Sequence, residues 1–245
     1  MFPCAMEVVQ GQSAECRLCG GSTAKYKCAS CLGKVDHPAE ERRQSLGQDL
    51  FMAALAGDAN LMRALLSKGA DPNFVVVSGP NKGYFPMYAA AQSGHVQCLE
   101  LLYASGADPN QAQDITNVSA IYVASSLNKV SSVRSLVSKG ANVNFEDSSG
   151  CTPLHAACKK GWVEMAGLLI VSGAQVNHIS RDGITALLMA AMHGHIECVC
   201  MLLCSGANVH HKMLNVSALD LASNAKKTNV AELLKTFMAI HPAPN

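Results

Sequence analysis

The chain is poor in the features that mark chemistry, membranes or nucleic acid. Aromatic residues are only 5% of its 245 residues, with a single tryptophan, Trp162, and charged residues only 15%. The net charge of +1 lacks the basic excess of a nucleic-acid or anionic-membrane binder. No run approaches the roughly 20 apolar residues of a membrane helix. Residues 1–15 lack a basic start followed by an apolar stretch, so no secretory signal is expected. Catalytic signatures are also missing: there is no phosphate-cradling glycine loop, nucleophile elbow or His-Glu-x-x-His. Cys158 beside Lys159 and Lys160 could become a reactive thiol, but helical geometry turns adjacent residues apart and puts Cys158 on an apolar stripe. The expectation is a protein that is not an enzyme.

What is abundant is apolar residues, at 49%, enough for a substantial core. The eleven cysteines are an odd and mostly scattered set, which reads as free thiols in a reducing compartment, cytoplasmic or nuclear. The sequons at Asn117 and Asn215 read as chance matches in such a setting.

One phrase recurs five times: Gly69-Ala70-Asp71-Pro72-Asn73, Gly106-Ala107-Asp108-Pro109-Asn110, Gly140-Ala141-Asn142-Val143-Asn144, Gly173-Ala174-Gln175-Val176-Asn177 and Gly206-Ala207-Asn208-Val209-His210. The glycines are 37, 34, 33 and 33 residues apart. A fixed period of this size predicts a stacked repeat array. The fourth unit is the clearest. Thr152 is a good N-cap with its hydroxyl toward the first-turn amides, Pro153 suits the first helical position, and Leu154, Ala157 and Cys158 form one apolar face. Gly161 closes this helix, a second runs from about Val163 to Val171, and Gly173 stops it. The phrase is thus a structural stop, and function should lie in what varies between its copies.

Thr152-Pro153-Leu154-His155-Ala156-Ala157 resembles the signature of ankyrin repeats. Looser versions follow Phe85, Ser119, Thr185 and Ser217, and the first unit from about Gln48 lacks the signature. The resemblance implies an all-α ankyrin solenoid of helix-turn-helix units joined by hairpin loops, with five or six repeats at about 48–74, 83–111, 117–145, 150–178, 183–211 and 216–240. Extra residues between Val75 and Tyr84 read as a longer loop. The family implies structural roles for His155, His95 and His195. His178, His193, His210 and His211 could meet on one edge, but no carboxylate or cysteine is spaced to complete a metal site.

Ahead of the repeats stand two C-x-x-C pairs, Cys16/Cys19 and Cys28/Cys31. Their spacing can close a tetrahedral thiolate site on one Zn²⁺, in a module too small to fold on burial alone; free thiols in a flexible tail are the alternative. The segment resembles the first half of HIT-type and MYND-type zinc fingers, whose second half is absent here. The expected organisation is a flexible N-terminus over 1–12, a zinc knuckle over 13–35, a charged linker or short helix over 36–47, and the array over 48–245.

Ankyrin resemblance places partner contacts on the concave inner-helix face and the hairpin tips. The candidates are Gln92, Ser93, Ser126, Leu127, Lys159, Lys160, Met192 and His193 on inner helices, and Glu146, Asp147, Arg181, Asp182, Lys212 and Met213 at tips. The expected function is an intracellular adaptor or scaffold, monomeric, recognising another protein and neither nucleic acid nor membrane. Two other readings are a targeting or substrate-recognition subunit of an enzyme complex, such as a ubiquitin ligase or transferase, and a metal- or redox-responsive regulator.

Overall fold

The computed structural model describes residues 37–242, which form twelve helices arranged as six pairs. The pairs are α1 (His37–Ala56) with α2 (Ala59–Ser67), α3 (Pro86–Ser93) with α4 (Val96–Ala104), and α5 (Ala120–Ser126) with α6 (Val130–Ser138). Then come α7 (Pro153–Lys160) with α8 (Val163–Val171), α9 (Ala186–His193) with α10 (Ile196–Cys204), and α11 (Ala218–Asn224) with α12 (Thr228–Ile240). Odd-numbered inner helices pack in one row, each against the next, and even-numbered outer helices pack in a second row behind them. A two-residue antiparallel ribbon, β1 (Lys212–Met213) with β2 (Val216–Ser217), and a bridge between Ala112 and Ser119 are the strand pairing among the described residues.

The repeat period is visible in the core. Met87, Ile121, Leu154 and Leu187 occupy one inner-helix position, and Leu102, Leu136, Leu169, Leu202 and Leu234 one outer-helix position, all buried. Each such side chain contributes on the order of 1.5–3 kcal/mol through burial. Alanines line the inner row, among them Ala90, Ala124, Ala157 and Ala190, so neighbouring backbones approach closely.

Local signals start and stop the helices. The hydroxyls of Ser119, Thr185 and Ser217 accept amides of Tyr122, Leu188 and Asp220 at 3.4, 3.3 and 3.2 Å. Thr152 caps α7 reciprocally with His155, whose backbone amide its side chain accepts. Its hydroxyl lies 2.9 Å from Nδ1 of His155, and that nitrogen also accepts the Thr152 amide at 3.2 Å. Helix α8 has the expected bounds, Val163–Val171, and Gly173 follows it at φ +94°, with open space where a Cβ would stand. The requirement there is therefore one of backbone angle alone.

Residues 36–47 were expected to form a charged linker or short helix. From His37 onward they are instead the first part of α1, 20 residues long and continuous with the first inner helix. Glu40, Glu41, Arg42, Arg43 and Gln44 are good helix formers, and Gln44 reaches back to Glu40 one turn away. In the Val75–Tyr84 loop the apolar triplet is divided: Val76 is fully buried, held by hydrogen bonds to Tyr84 and Gly83, whereas Val77 faces solvent.

The asparagine that ends each phrase joins neighbouring repeats. The Asn144 side chain donates to the Gly173 carbonyl at 3.1 Å and accepts the Gln175 amide at 2.8 Å. Asn73 does the same with Gly106 and Asp108, Asn110 with Gly140 and Asn142, and Asn177 with Gly206 and Asn208. The last copy carries His210, whose Nε2 meets the His241 carbonyl at 2.8 Å.

Ser132 is an imperfection in this frame. It is fully buried and its hydroxyl has no partner, while Cys98 and Cys198 fill the same outer-helix position. Replacing Ser132 by Cys removes an unsatisfied hydroxyl, worth on the order of 1 kcal/mol. The melting temperature should rise by about 2–4 °C; an unchanged or lower value would show that the hydroxyl is satisfied.

Candidate functional site

The hairpin tips are organised by one residue each. Asp147 accepts the amides of Ser149 and Cys151 at 2.8 and 2.9 Å and the Ser149 hydroxyl at 2.6 Å. Gln113 accepts from the amides of Ile115 and Thr116 at the same register, and Ser180 from the amide of Ile184. Asp147, a candidate partner contact by sequence, is therefore a turn former. Burial alone would raise its carboxyl, but hydrogen bonds from Ser149, Cys151 and Tyr122 hold it below the ordinary value. Burial and the neighbouring Asp147 in turn push the Tyr122 phenol up. Neighbouring tips are joined by the Ser148 amide on the Thr116 carbonyl and the Arg181 amide on the Ser149 carbonyl. Glu146, Arg181, Asp182 and Lys212 are exposed as expected, and Met213 is half-buried in β1 against the core.

The histidines are occupied by the frame. Nε2 of His178 lies 3.2 Å from the Gly150 carbonyl and 3.4 Å from Glu146, and Nε2 of His211 lies 2.9 Å from the Gly183 carbonyl. His193 bonds the Met189 carbonyl through Nδ1 at 2.9 Å. Among the described residues no group of three or more histidine, cysteine or acidic side chains could hold a metal. Cys16, Cys19, Cys28 and Cys31, the expected zinc ligands, lie outside the described residues. Cys158 is fully buried, and its contact with Cys198 together with burial pushes its thiol up, away from a reactive thiolate.

On the inner helices, Gln92, Leu127, Lys159, Lys160 and Met192 are exposed. Ser93 and Ser126 are half-buried with their hydroxyls turned onto the carbonyls of Leu55 and Val123, and His193 is half-buried. The 33-residue register makes the sets comparable: Gln92, Ser126, Lys159 and Met192 share one position, and Ser93, Leu127, Lys160 and His193 the next.

The ankyrin-repeat family model matches residues 24–113 and 120–213. The chain belongs to the ankyrin-repeat family. A crystal structure of an ankyrin repeat domain from Acinetobacter baumannii is similar, with 26% sequence identity, a TM-score of 0.68, and coverage of 77% of this chain and 96% of that one. No curated protein sequence matches the chain. Ankyrin arrays are protein–protein interaction modules, and the fold is typically non-catalytic. No helix of the described residues is long and apolar enough to cross a membrane.

Within this ankyrin frame, the tip isoleucines and the cover that Trp162 gives one turn escaped the sequence reading, and His195 has the structural role expected of it. Ile115 and Ile179, 75% and 51% exposed, stand at hairpin tips alongside Leu214 at 88%. The position of Ile115 in a loop between repeats, like that of Ser148, Arg181 and Leu214, is legible from the register, but its exposure is not. Trp162 and His195 cover turns between paired helices. The Trp162 indole donates to the Ser126 carbonyl at 3.3 Å, and the His195 ring lies over Gly161 with Nε2 3.2 Å from the Lys159 carbonyl.

His155 links an inner helix to the next repeat. Because Nδ1 accepts from Thr152, Nε2 carries the proton and donates to the Ile184 carbonyl at 3.1 Å. Burial lowers its pKa from 6.5 to about 4. The unfolded chain binds this proton at a higher pH than the folded one, so stability falls as pH drops from about 6.5 to about 4. The slope from this group is about 1.4 kcal/mol per pH unit. The carboxyl groups of Asp147 and Asp220 sit below their ordinary 3.8 and act in more acidic solution. Urea titrations of wild type and His155→Gln across this window should show the slope only in wild type; equal slopes would contradict the assignment.

Proposed function

We propose that this array is an adaptor or scaffold that binds a partner protein through its inner-helix row and hairpin tips. The observation that carries this reading is the contrast between frame and surface. Buried leucines and bridging asparagines repeat with the period, whereas the ends of the inner helices and the tips do not: Gln92, half-buried Ser126, Lys159 and Met192 on the helices, and Ile115, Ser148, Arg181 and Leu214 at the tips. Leu127, Met192 and Leu214 supply adaptable apolar contact beside charge, a composition suited to a protein partner. One carboxylate oxygen of Asp147 and the hydroxyls of Ser93 and Ser126 are engaged internally, so these three offer a partner less than their neighbours do.

The free-thiol pattern supports an intracellular setting, in cytoplasm or nucleus, and the array is proposed to act as a monomer. The spacing of Cys16, Cys19, Cys28 and Cys31 supports a single Zn²⁺ held by four thiolates, stapling a small module ahead of the repeats.

Site-specific photo-crosslinking tests the interaction reading. A photoreactive residue at Met192 or Leu214 should yield discrete crosslinked protein species in cell extract. The same residue at Val171, which is 89% exposed on an outer helix, should not. Equal crosslinking from all three positions would refute the assigned surface. In the same purified chain, metal analysis should find zinc in stoichiometric amount, lost in Cys16→Ser; absence of zinc from wild type would remove the metal module.

A further inference from the structure

We infer that the edge where inner helices end and outer helices begin binds an extended acidic segment of a partner protein, at about one carboxylate per repeat. This rests on the interaction reading above and adds the chemistry of the partner. Five lysines line this edge over four successive repeats: Lys129, then Lys159 and Lys160, then Lys226 and Lys227. His193 and His195 fill the gap in the fifth repeat, with parallel rings 6.1 Å apart. Three of these side chains reach across to the repeat before their own, and the Trp162 indole spans the step between Lys129 and Lys159 by donating to the Ser126 carbonyl. The Lys129 side chain runs along Gly94, the His195 ring covers Gly161, and the Lys227 side chain runs along Gly194. Each therefore lies across the turn of the preceding repeat.

No ion pair among the described residues uses any of these lysines. The carboxylates on the neighbouring outer-helix first turns are Glu164, which faces Arg134 at 3.9 Å, and Glu197. Glu232, one turn further along α12, lines the cleft beside Lys226 and Lys227 together with Lys235. Two uncommitted carboxylates, Glu197 and Glu232, against these five lysines still leave a local positive excess in a chain whose net charge is only +1. Charge of this kind selects a negative partner and speeds its capture.

Geometry and composition narrow the partner further. Packed helices lie about 8–10 Å apart, and an extended chain advances about 3.3 Å per residue. An acidic side chain at about every third position would thus meet successive repeats. Two open clefts on the edge accept side chains. One of about 320 Å³ lies beside Lys129 and Ser93, and another of about 240 Å³ beside Lys226, Lys227 and Thr228. Leu127, Trp162 and Met192, 46%, 36% and 37% exposed, stand between the charges. They suit apolar side chains of a peptide better than a sugar–phosphate backbone.

Fluorescence anisotropy with the full chain at low ionic strength tests this. The probe is a fluorescein-labelled peptide of five Glu-Leu-Ser units, with Gln-Leu-Ser units as the neutral control. The acidic peptide should bind saturably and the neutral one should not. Lys159→Glu/Lys160→Glu and Lys226→Glu/Lys227→Glu should each weaken binding about tenfold or more, while Arg63→Glu on α2 should leave it unchanged. Four results would overturn the proposal: no binding of the acidic peptide, equal loss in Arg63→Glu, equal affinity for a peptide with its glutamates in one block, or tighter binding of a single-stranded RNA. Peptide failure with crosslinking from Met192 intact would remove the acidic partner and leave the interaction surface; failure of both would remove both.

Discussion

A side-chain carboxamide holds this array in register. Asn73, Asn110, Asn144 and Asn177 each donate to the glycine carbonyl and accept an amide of the next repeat's phrase, with acceptor distances of 2.7–2.8 Å. Only a group with a donor and an acceptor on one rigid fork can do both. A repeat buries too little alone to be stable, so its position relative to its neighbours is part of its stability. The hydrophobic ladder supplies the attraction, but apolar contact is non-directional. The carboxamide fixes where along the stack each repeat sits. The ladder stops where its partner stops: the sixth repeat has no Gly-Ala phrase, and His210 replaces asparagine and bonds the His241 carbonyl instead.

The period of the phrase, the pairing of short helices and the bounds of α8 were all legible in the sequence, because each is a local pattern of apolar spacing, caps and stops. The purpose of the asparagine was not. Its partners lie about thirty residues away, and nothing in a local window distinguishes a bridging asparagine from a solvated one. The same limit explains Asp147. A charged residue at a hairpin tip reads as a surface contact, yet one of its carboxylate oxygens takes three bonds of the turn. Thr152 was legible as a cap, but the return bond of its own amide to the His155 ring, three residues on, was not. Of the candidate contact surface, the inner-helix positions Lys159, Lys160 and Met192 emerged exposed, and the tip isoleucines emerged only when the register was laid over solvent exposure.

Function follows from the separation of frame and surface. Buried positions repeat almost without change, so the stack sets a regular spacing of exposed positions independently of what occupies them. Side chains can then vary at little cost to stability, and a partner is read as a series of steps along the array. In this chain the inner-helix row mixes lysine with exposed leucine and methionine, a tryptophan stands in the turn behind it, and the tips carry isoleucine, arginine and leucine. Neither surface gathers the convergent polar groups that chemistry needs. His155, the most perturbed histidine, is spent inside the frame, with both ring nitrogens engaged.

The account depends most on the asparagine bridges, and amide hydrogen exchange tests them directly. The amides of Asp108, Asn142, Gln175 and Asn208 belong to exposed loop residues outside any helix, and each is bonded to an asparagine one repeat away. These four amides should exchange slowly, and that of Gln175 should lose its protection when Asn144 is replaced by alanine. Fast exchange of all four in the wild-type chain would contradict the central claim.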